Sequence, residues 1–435
     1  MGGMLVVFSL FLPLPCFAQL PAPTTGPLLL QECLALADKN NPEIQAARSA
    51  AAAKRTGVQT SAASFLPSLD AESSLSRTAN ANRSRGTRAG SELGVPVSLS
   101  VSQLLFDFGK AHQGYMKSKH DSVAAKYSVE VIRAQVFLAV KTAYIGLLKA
   151  QRALGIAQET LKQREHLIAV TQELFDSGIR PRFDVVRAQI DAENARLDLV
   201  EAETRLAREG PNLEVALGVP GLQPRALEDI LVDREWTMDE SRVQRTALER
   251  RSEISNQREQ VESQRNSLGL ARRAFWPTTS ASSALLYRQS SAGSAFLGHE
   301  REWTVGVSAK LNLFGGFSNV ATITREEMAL EKTQEDLKGV EQKISAEARQ
   351  AYQTAAGEAR KLKIARNLEI LARENESLSW QLYRSGKGTI ILVTDAQSQL
   401  LSARLSRLNS LADYHLALSR LEYSAGAVLE DIQRR

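Results

Sequence analysis

Few side chains in this sequence are spaced to do covalent chemistry. The five histidines are His112, His120, His166, His299 and His415, and only His112 and His120, eight positions apart, come close to a regular interval. Structural and catalytic metals need three or four ligands converging from short spacings, so that pair falls short. His415 reads as a packed neutral histidine. Cys16 and Cys33 are the only cysteines, and they form no Cys/His cluster. With no nucleophile paired to a base and no glycine-rich phosphate loop, no enzymatic chemistry, cofactor or metal is assigned. What remains is charge beside two Ser-Gly turns. Arg180, Asp184 and Arg187 follow Ser177-Gly178, while Lys387 and Asp395 follow Ser385-Gly386. Groups of this kind can gate or filter ions; alternatively, Asp184 only caps its helix or faces solvent. Arg77, Arg83, Arg85 and Arg88 form a further cluster, read first as a solvated loop and second as guanidinium forks for phosphate.

The elements that hold these residues are written twice. Ala63-Ser64-Phe65-Leu66-Pro67 recurs as Arg273-Ala274-Phe275-Trp276-Pro277, and Pro42-Glu43-Ile44 as Ser252-Glu253-Ile254, both 210 positions later. Beyond the strands the offset is 208: Phe106 matches Phe314, Tyr144 matches Tyr352, Ser177-Gly178 matches Ser385-Gly386 and Gly218 matches Gly426. A duplication on this scale predicts two similar halves related by pseudo-symmetry.

Each half reads helix, strand, loop, strand, very long helix, tight turn, helix. In the first, Leu28 to about Ser64 is helical, interrupted at Asn41-Pro42 and closed by Pro67. Val95, Val97, Leu99 and Val101 alternate with Pro96, Ser98, Ser100 and Ser102; in the second half Trp303, Val305, Val307, Ala309, Leu311 and Leu313 alternate with polar or small residues. Period two marks strands with one apolar and one polar face. Weaker alternation follows Pro67 and Pro277. The four strands have the length that spans an outer membrane when tilted, but four cannot close a barrel that needs about eight. Several chains must share one barrel; the rival is a soluble four-stranded sheet under helices. Trp276, Tyr287 and Trp303 suit an interfacial aromatic belt, although Trp276 could equally pack at the strand-to-helix joint.

The long helices carry coiled-coil seams. Val129, Ile132, Val136, Ala139, Ala143, Leu147, Ala150, Leu154, Ala157 and Leu161 mark one; Leu330, Leu337, Ile344 and Ala351 mark its counterpart. Past the first turn, Val185, Ala188, Ala192, Ala195, Leu199, Ala202 and Leu206 keep strict 3,4 steps. The short helices are each about half the long one, so two stacked end to end match it. With 43% apolar, 24% charged and 6% aromatic residues, the composition agrees with long helices, and the net charge of +5 is a mixed, solvated surface with no nucleic-acid footprint.

The expected division is a signal peptide over 1–18, whose small residues precede Gln19, with Pro15 and Phe17 arguing against lipidation at Cys16. A first repeat covers 19–220, with strands at about 68–77 and 94–104, a long helix 110–175 and a helix 181–217. A linker follows over 221–240, then a second repeat over 241–427 with strands at about 278–288 and 302–313, a long helix 316–383 and a helix 389–425, and a tail 428–435. No stretch after the leader is expected to be apolar enough for a transmembrane helix.

Four motifs in this order make the chain resemble the TolC-like outer-membrane efflux protein family, or outer membrane factors. They are Ala35 to Ile44 with Ala46-Ala47-Arg48; Gln103-Leu104-Leu105-Phe106-Asp107-Phe108-Gly109-Lys110; Phe175-Asp176-Ser177-Gly178 with Asp184-Val185; and Leu217-Gly218-Val219-Pro220. The resemblance covers essentially the whole mature sequence. It implies a mainly α fold with membrane β-barrel strands: duplicated coiled-coil hairpins plus four amphipathic strands per chain, three chains forming a twelve-stranded barrel continued by a twelve-helix periplasmic α-barrel. A homotrimer in outer-membrane lipid would serve as the exit duct of a tripartite efflux pump, beside a periplasmic adaptor and an inner-membrane transporter of RND, ABC or MFS type.

The resemblance also assigns roles. The turns become adaptor-contact tips, with Leu174, Gly178, Ile179, Leu382, Gly386 and Lys387 near the partner. Asp184 matches the acidic position that holds the periplasmic mouth closed in related channels, and Tyr383 and Asp395 match a tyrosine and the later of two aspartates. Leu392 stands at the earlier aspartate position and Gly388 where a basic residue is expected, so Arg180 and Arg187 become candidates for the missing charge. The arginine loop would meet lipopolysaccharide phosphates. Three methionines in the mature chain, Met116, Met238 and Met328, disfavour a dedicated soft-metal channel. Type I protein secretion is the alternative within this class. An adaptor or structural coiled-coil protein is the rival outside it, but an adaptor would carry one hairpin, not two preceded by strand pairs.

Overall fold

The structure is a computed structural model that describes residues 27–79, 91–221, 226–233, 238–292 and 295–427. The expected leader, the tail and Arg83, Arg85 and Arg88 lie outside the described residues. Helices α1 (Leu30–Asn40) and α2 (Pro42–Ala63) precede strands β1 (Ser68–Ser73), β2 (Ser76–Ala79) and β3 (Ser91–Phe106), then α3 (Lys110–Asp176) and α4 (Arg182–Leu217). The second half repeats the order with α5 (Glu240–Arg250), α6 (Ser252–Arg272), β4 (Thr278–Ala292), β5 (Ala295–Lys310), α7 (Ser318–Arg384) and α8 (Ile390–Ala425). Helices α3 and α7 each have 67 residues, about 100 Å of continuous helix.

The strands form one antiparallel sheet in the order β1-β3-β4-β5, with β2 also on β3. β1 and β2 keep one register along β3 and are separated only at Ser74 and Leu75. The cause is Pro96: Ser74 N–H donates to its carbonyl at 3.3 Å, but proline has no N–H to return the bond. β5 ends at Lys310, opposite Thr278, so Leu311 and Leu313, expected within the strand, fall past its end. Its partner runs out there because Pro277 precedes β4 and cannot extend the ladder. At the other end β3, β4 and β5 run further than their apolar patterning implied, because backbone pairing continues through serine and glycine.

At both strand-to-helix joints two consecutive residues are left-handed, Phe108 and Gly109 in one and Gly316 and Phe317 in the other. The strain at Phe108 is held by rings: it stacks on Trp276 at 4.7 Å and meets Phe106 at 4.6 Å. Arg273 Nε donates to the Phe108 carbonyl at 2.9 Å, and Lys110 Nζ to the Trp276 carbonyl at 2.7 Å. Trp276 therefore packs at the joint.

Helix packing repeats the strand order. α2 and α4 lie on one side of α3, α6 and α8 on its other side, and α7 beyond them. α4 ends against the α1–α2 junction, where Asn41 Nδ2 donates to the Ala216 carbonyl at 3.0 Å. In the second half Arg251 takes the place of Asn41, reaching the Ser424 carbonyl at 3.4 Å and pairing with Glu253 and Glu347. Asn41 also caps α2 through the Glu43 N–H, with Pro42 at the first helical position.

Because α3 is packed on two flanks, it buries two stripes where the sequence suggested one. Val136 and Ala150 of the expected seam are buried, Ala139 is exposed, and Val140, Tyr144 and Leu148 are buried as well. This crowding also explains a correction: by length and composition, α3 does contain a stretch apolar enough to cross a membrane. Its apolar residues feed the main core at the molecule's equator, together with Leu28, Leu227 and Leu231. There the Tyr144 hydroxyl lies 2.9 Å from the Leu28 carbonyl and 2.8 Å from that of Glu228.

Candidate functional site: the helical tips and the sheet

The α3–α4 and α7–α8 turns match bond for bond. Gly178 N–H donates to Phe175 and Ile179 N–H to Leu174; Gly386 N–H donates to Tyr383 and Lys387 N–H to Leu382. Both glycines are left-handed, at φ 70° and 77°, the conformation that lets a helix close its last carbonyls. Ile179, Leu382 and Lys387 are exposed, whereas Leu174 packs against a small core of Leu167, Ala188, Tyr383, Ile390 and Val393.

Just inside the turns, Asp184 and Tyr383 are only 5% and 1% exposed, and the Tyr383 hydroxyl donates to Asp184 Oδ2 at 3.0 Å. Arg180 lies over the Tyr383 ring, 4.7 Å from its centre, and its Nη2 donates to the Tyr383 and Gly388 carbonyls at 3.1 and 2.8 Å. A basic side chain at Gly388 would be crowded, since a Cβ there would lie 3.1 to 3.2 Å from the Tyr383 nitrogen and Leu382. Arg180 occupies that region from the other hairpin. Burial and the Asp184 carboxylate both push the Tyr383 phenol well above its ordinary range, so it remains a donor.

The structure does not bring the remaining two candidates into this cluster. Asp395 is exposed, with no side-chain hydrogen bond or ion pair among the described residues. Arg187 instead faces Asp191, at 3.7 Å. That carboxylate belongs to a group not anticipated from the sequence. Arg164, 5% exposed, donates to Gln397 Oε1 at 2.7 Å and Ser398 Oγ at 3.0 Å, and stands 3.9 Å from Asp191 Oδ2. Burial pulls its guanidinium below the usual arginine range. Only the packing of α8 against α3 identifies its partners.

The sheet carries the other functional surface. Its register aligns Leu69, Val101, Ser283 and Val305 in one row, then Ala71, Leu99, Leu285 and Trp303, then Ser73, Val97, Tyr287 and Arg301. Val97, Leu99, Val101, Leu285, Trp303, Val305 and Val307 are all exposed, Trp303 at 74%. The opposite face has Ser98, Ser100, Ser102, Ser280, Ser282, Thr304 and Ser308, with Ser68 and Ser102 hydroxyls 2.8 Å apart. A largely exposed apolar face against a hydroxyl-rich one suits lipid on one side and water on the other. Among the described residues, no group of His, Cys, Asp and Glu could hold a metal ion.

The profile of the outer membrane efflux protein family matches residues 33–219 and again 243–427. The chain belongs to that family. The toluene efflux pump outer membrane protein TtgC of Pseudomonas putida is 22% identical over 405 residues, 89% of this chain and 82% of TtgC. Outer membrane protein OprJ of Pseudomonas aeruginosa is 26% identical, covering 78% of this chain and 71% of OprJ. The cation efflux system protein CusC of Escherichia coli is 22% identical, covering 85% of this chain and 80% of CusC. Among solved structures, CusC has a TM-score of 0.78 at 18% identity, covering 92% of both chains. The Campylobacter jejuni CmeC channel has 0.78 at 19%, covering 93% of this chain and 88% of its own. As a member of this family of efflux channels, the chain resides in the outer membrane with its helical part in the periplasm. The exposed apolar sheet and the long helices fit those two compartments.

Proposed function

We propose that this protein is the exit duct of a tripartite efflux pump for small molecules. Three copies share a twelve-stranded barrel and continue its bore as twelve helices through the periplasm, toward an adaptor and an inner-membrane transporter of RND, ABC or MFS type. The observation that carries this reading is that both layers of the chain are open at matching edges. The sheet ends at β1 and β5, and the helix row ends at α4 and α7. Those edge helices bear exposed apolar stripes: Phe183, Val186, Ile190 and Leu197 on α4, and Ile364, Leu368, Leu371 and Leu378 on α7. Stripes at heptad spacing need another helix, and unpaired strands need another strand. Relatives named for toluene and cation efflux support small solutes as cargo.

In this reading the Ser-Gly turns, with Leu174, Gly178, Ile179, Leu382, Gly386 and Lys387, are the adaptor-contact tips. Asp184, Tyr383 and Arg180 hold the periplasmic mouth narrow, and the exposed Asp395 supplies negative charge at it. Planar-bilayer recording of the purified assembly tests the channel: discrete conductance is expected, and a soluble monomer without conductance rejects it. Replacing Asp184 and Asp395 with alanine raises conductance or lowers cation selectivity; unchanged single-channel behaviour would sink the gate. Deleting the gene should sensitise cells to toxic solutes. Normal tolerance with loss of a secreted protein would instead favour type I secretion.

A further inference from the structure

The two faces of the sheet differ in the charged residues they carry. Asp70, Glu72, Glu302 and Lys310 belong to the hydroxyl-rich face, in rows with Ser100, Ser98, Leu286 and Thr278. On the opposite face Arg301 stands directly across from Tyr287 and two positions from Trp303. Arg301 is exposed, and no hydrogen bond or ion pair occupies it among the described residues. Arg77, opposite Leu93, holds a register position of the same face further out. The indole of Trp303 is fixed by a 3.0 Å bond from Nε1 to Ser283 Oγ.

Position along the strand says which lipids Arg301 meets. Thr279 pairs with Ala309 and Tyr287 with Arg301, a separation of about 26 Å along the strand, or roughly 20 Å along the membrane normal at a tilt near 40°. Between them the exposed apolar residues fill a band comparable to the ~25 Å apolar belt of outer-membrane barrels. The helices lie in the periplasm, so the Arg301 row is at the far edge, level with the outer leaflet headgroups. That leaflet is built from phosphorylated glycolipid. A guanidinium binds phosphate through two parallel donors, and the neighbouring Trp and Tyr rings suit the boundary between acyl chain and headgroup.

We infer that Arg301, with Tyr287 and Trp303, forms a binding site for the phosphate of an outer-leaflet glycolipid of the lipid A type. The inference rests on the barrel reading, in which this face meets lipid. The test uses the assembled full-length channel in detergent, with native mass spectrometry counting retained lipid. Wild type should retain phosphorylated lipid A about tenfold over its dephosphorylated form, given charge-assisted bidentate recognition. Arg301→Gln should abolish that preference and Arg301→Lys keep part of it, while millimolar inorganic phosphate should displace little. Equal retention by Arg301→Gln, no preference in wild type, or displacement by inorganic phosphate each overturns the site. Bilayer conductance of Arg301→Gln is expected to equal wild type. Conductance in wild type without lipid preference rejects this site alone, and its absence rejects the channel reading itself.

Discussion

The bond between Tyr383 and Asp184 joins two hairpins through one proton, and it does so in a place closed to water. Removing only the hydroxyl, by Tyr383→Phe, leaves the ring in its pocket and Arg180 stacked on it, but strips a buried carboxylate of its donor. A buried charged acceptor left unpaired costs about 1–3 kcal/mol. Chemical denaturation should show a loss of that order, together with more frequent or larger openings in bilayer recordings; no change in either would mean that water already satisfies Asp184. Arg164 makes a second link one flank away, tying α3 to Gln397 and Ser398 on α8. Arg164→Met keeps the length of the side chain while removing its charge, and should loosen the tips less than Tyr383→Phe if Asp191 turns to Arg187. The types and positions of Asp184, Tyr383 and Arg180 could be read from the sequence, because they sit at fixed steps from the two turns. Their pairing could not, since residues 199 positions apart in sequence meet only once four helices are side by side. Asp395 shows the converse: matching a family position did not place it in the cluster.

Helices in this protein end in two different ways, and glycine separates them. Gly178 and Gly218 share nearly the same left-handed φ, 70° and 69°. A Cβ at Gly178 meets nothing within 4 Å, whereas one at Gly218 would lie 2.8 Å from the Asn40 carbonyl oxygen and the Asn41 Cα. Gly178→Ala should therefore cost only the left-handed strain, about 1–2 kcal/mol. Gly218→Ala should cost clearly more, because α4 must also withdraw from the α1–α2 junction; equal thermal shifts for the two variants would refute that stacked joint. A buried carboxylate makes the α7–α8 pair sensitive to acid. Glu369 pairs with Arg407 and Arg373, each at 2.8 Å. Burial opposes its ionisation, yet the two guanidinium groups hold its carboxyl below the usual range. Its stabilising contribution is therefore present above the unfolded-state pKa and is lost as pH falls through the depressed folded value. Glu369→Gln should flatten the acid limb of a stability–pH curve and leave the alkaline limb unchanged. Helix positions were legible in the sequence because apolar period and turn glycines agree. Strand lengths were less so, since the outer parts of β4 and β5 show no alternation to read although their backbones pair.

In the proposed assembly the two open edges of the chain close by meeting copies of the chain head to tail. The duplication, plain in the sequence, gives a reason for the edges to complement: each half ends in the same helix pair, so in that assembly α7 of one copy would stand to α4 of the next much as α3 stands to α8 within the chain. Which faces remained free was not legible, because exposed Ile190 and Leu371 look like ordinary seam residues until their neighbours are placed. Such an interface is heterologous, with different surfaces meeting at every joint. Ile190→Asp should damage only the α4 edge and Leu371→Asp only the α7 edge, and each variant alone should fail to form closed rings while keeping its helical content. Mixing the two offers one sound joint, between the intact α4 edge of the Leu371→Asp chain and the intact α7 edge of the Ile190→Asp chain. Once that joint forms, both outward edges carry an aspartate, so the mixture should stop at a heterodimer. Mass measurement of the detergent-solubilised mixture decides it. A self-complementary interface would pair each edge with its own kind and yield homodimers of both variants, and recovery of closed rings would mean that α4 and α7 are not the joining surfaces.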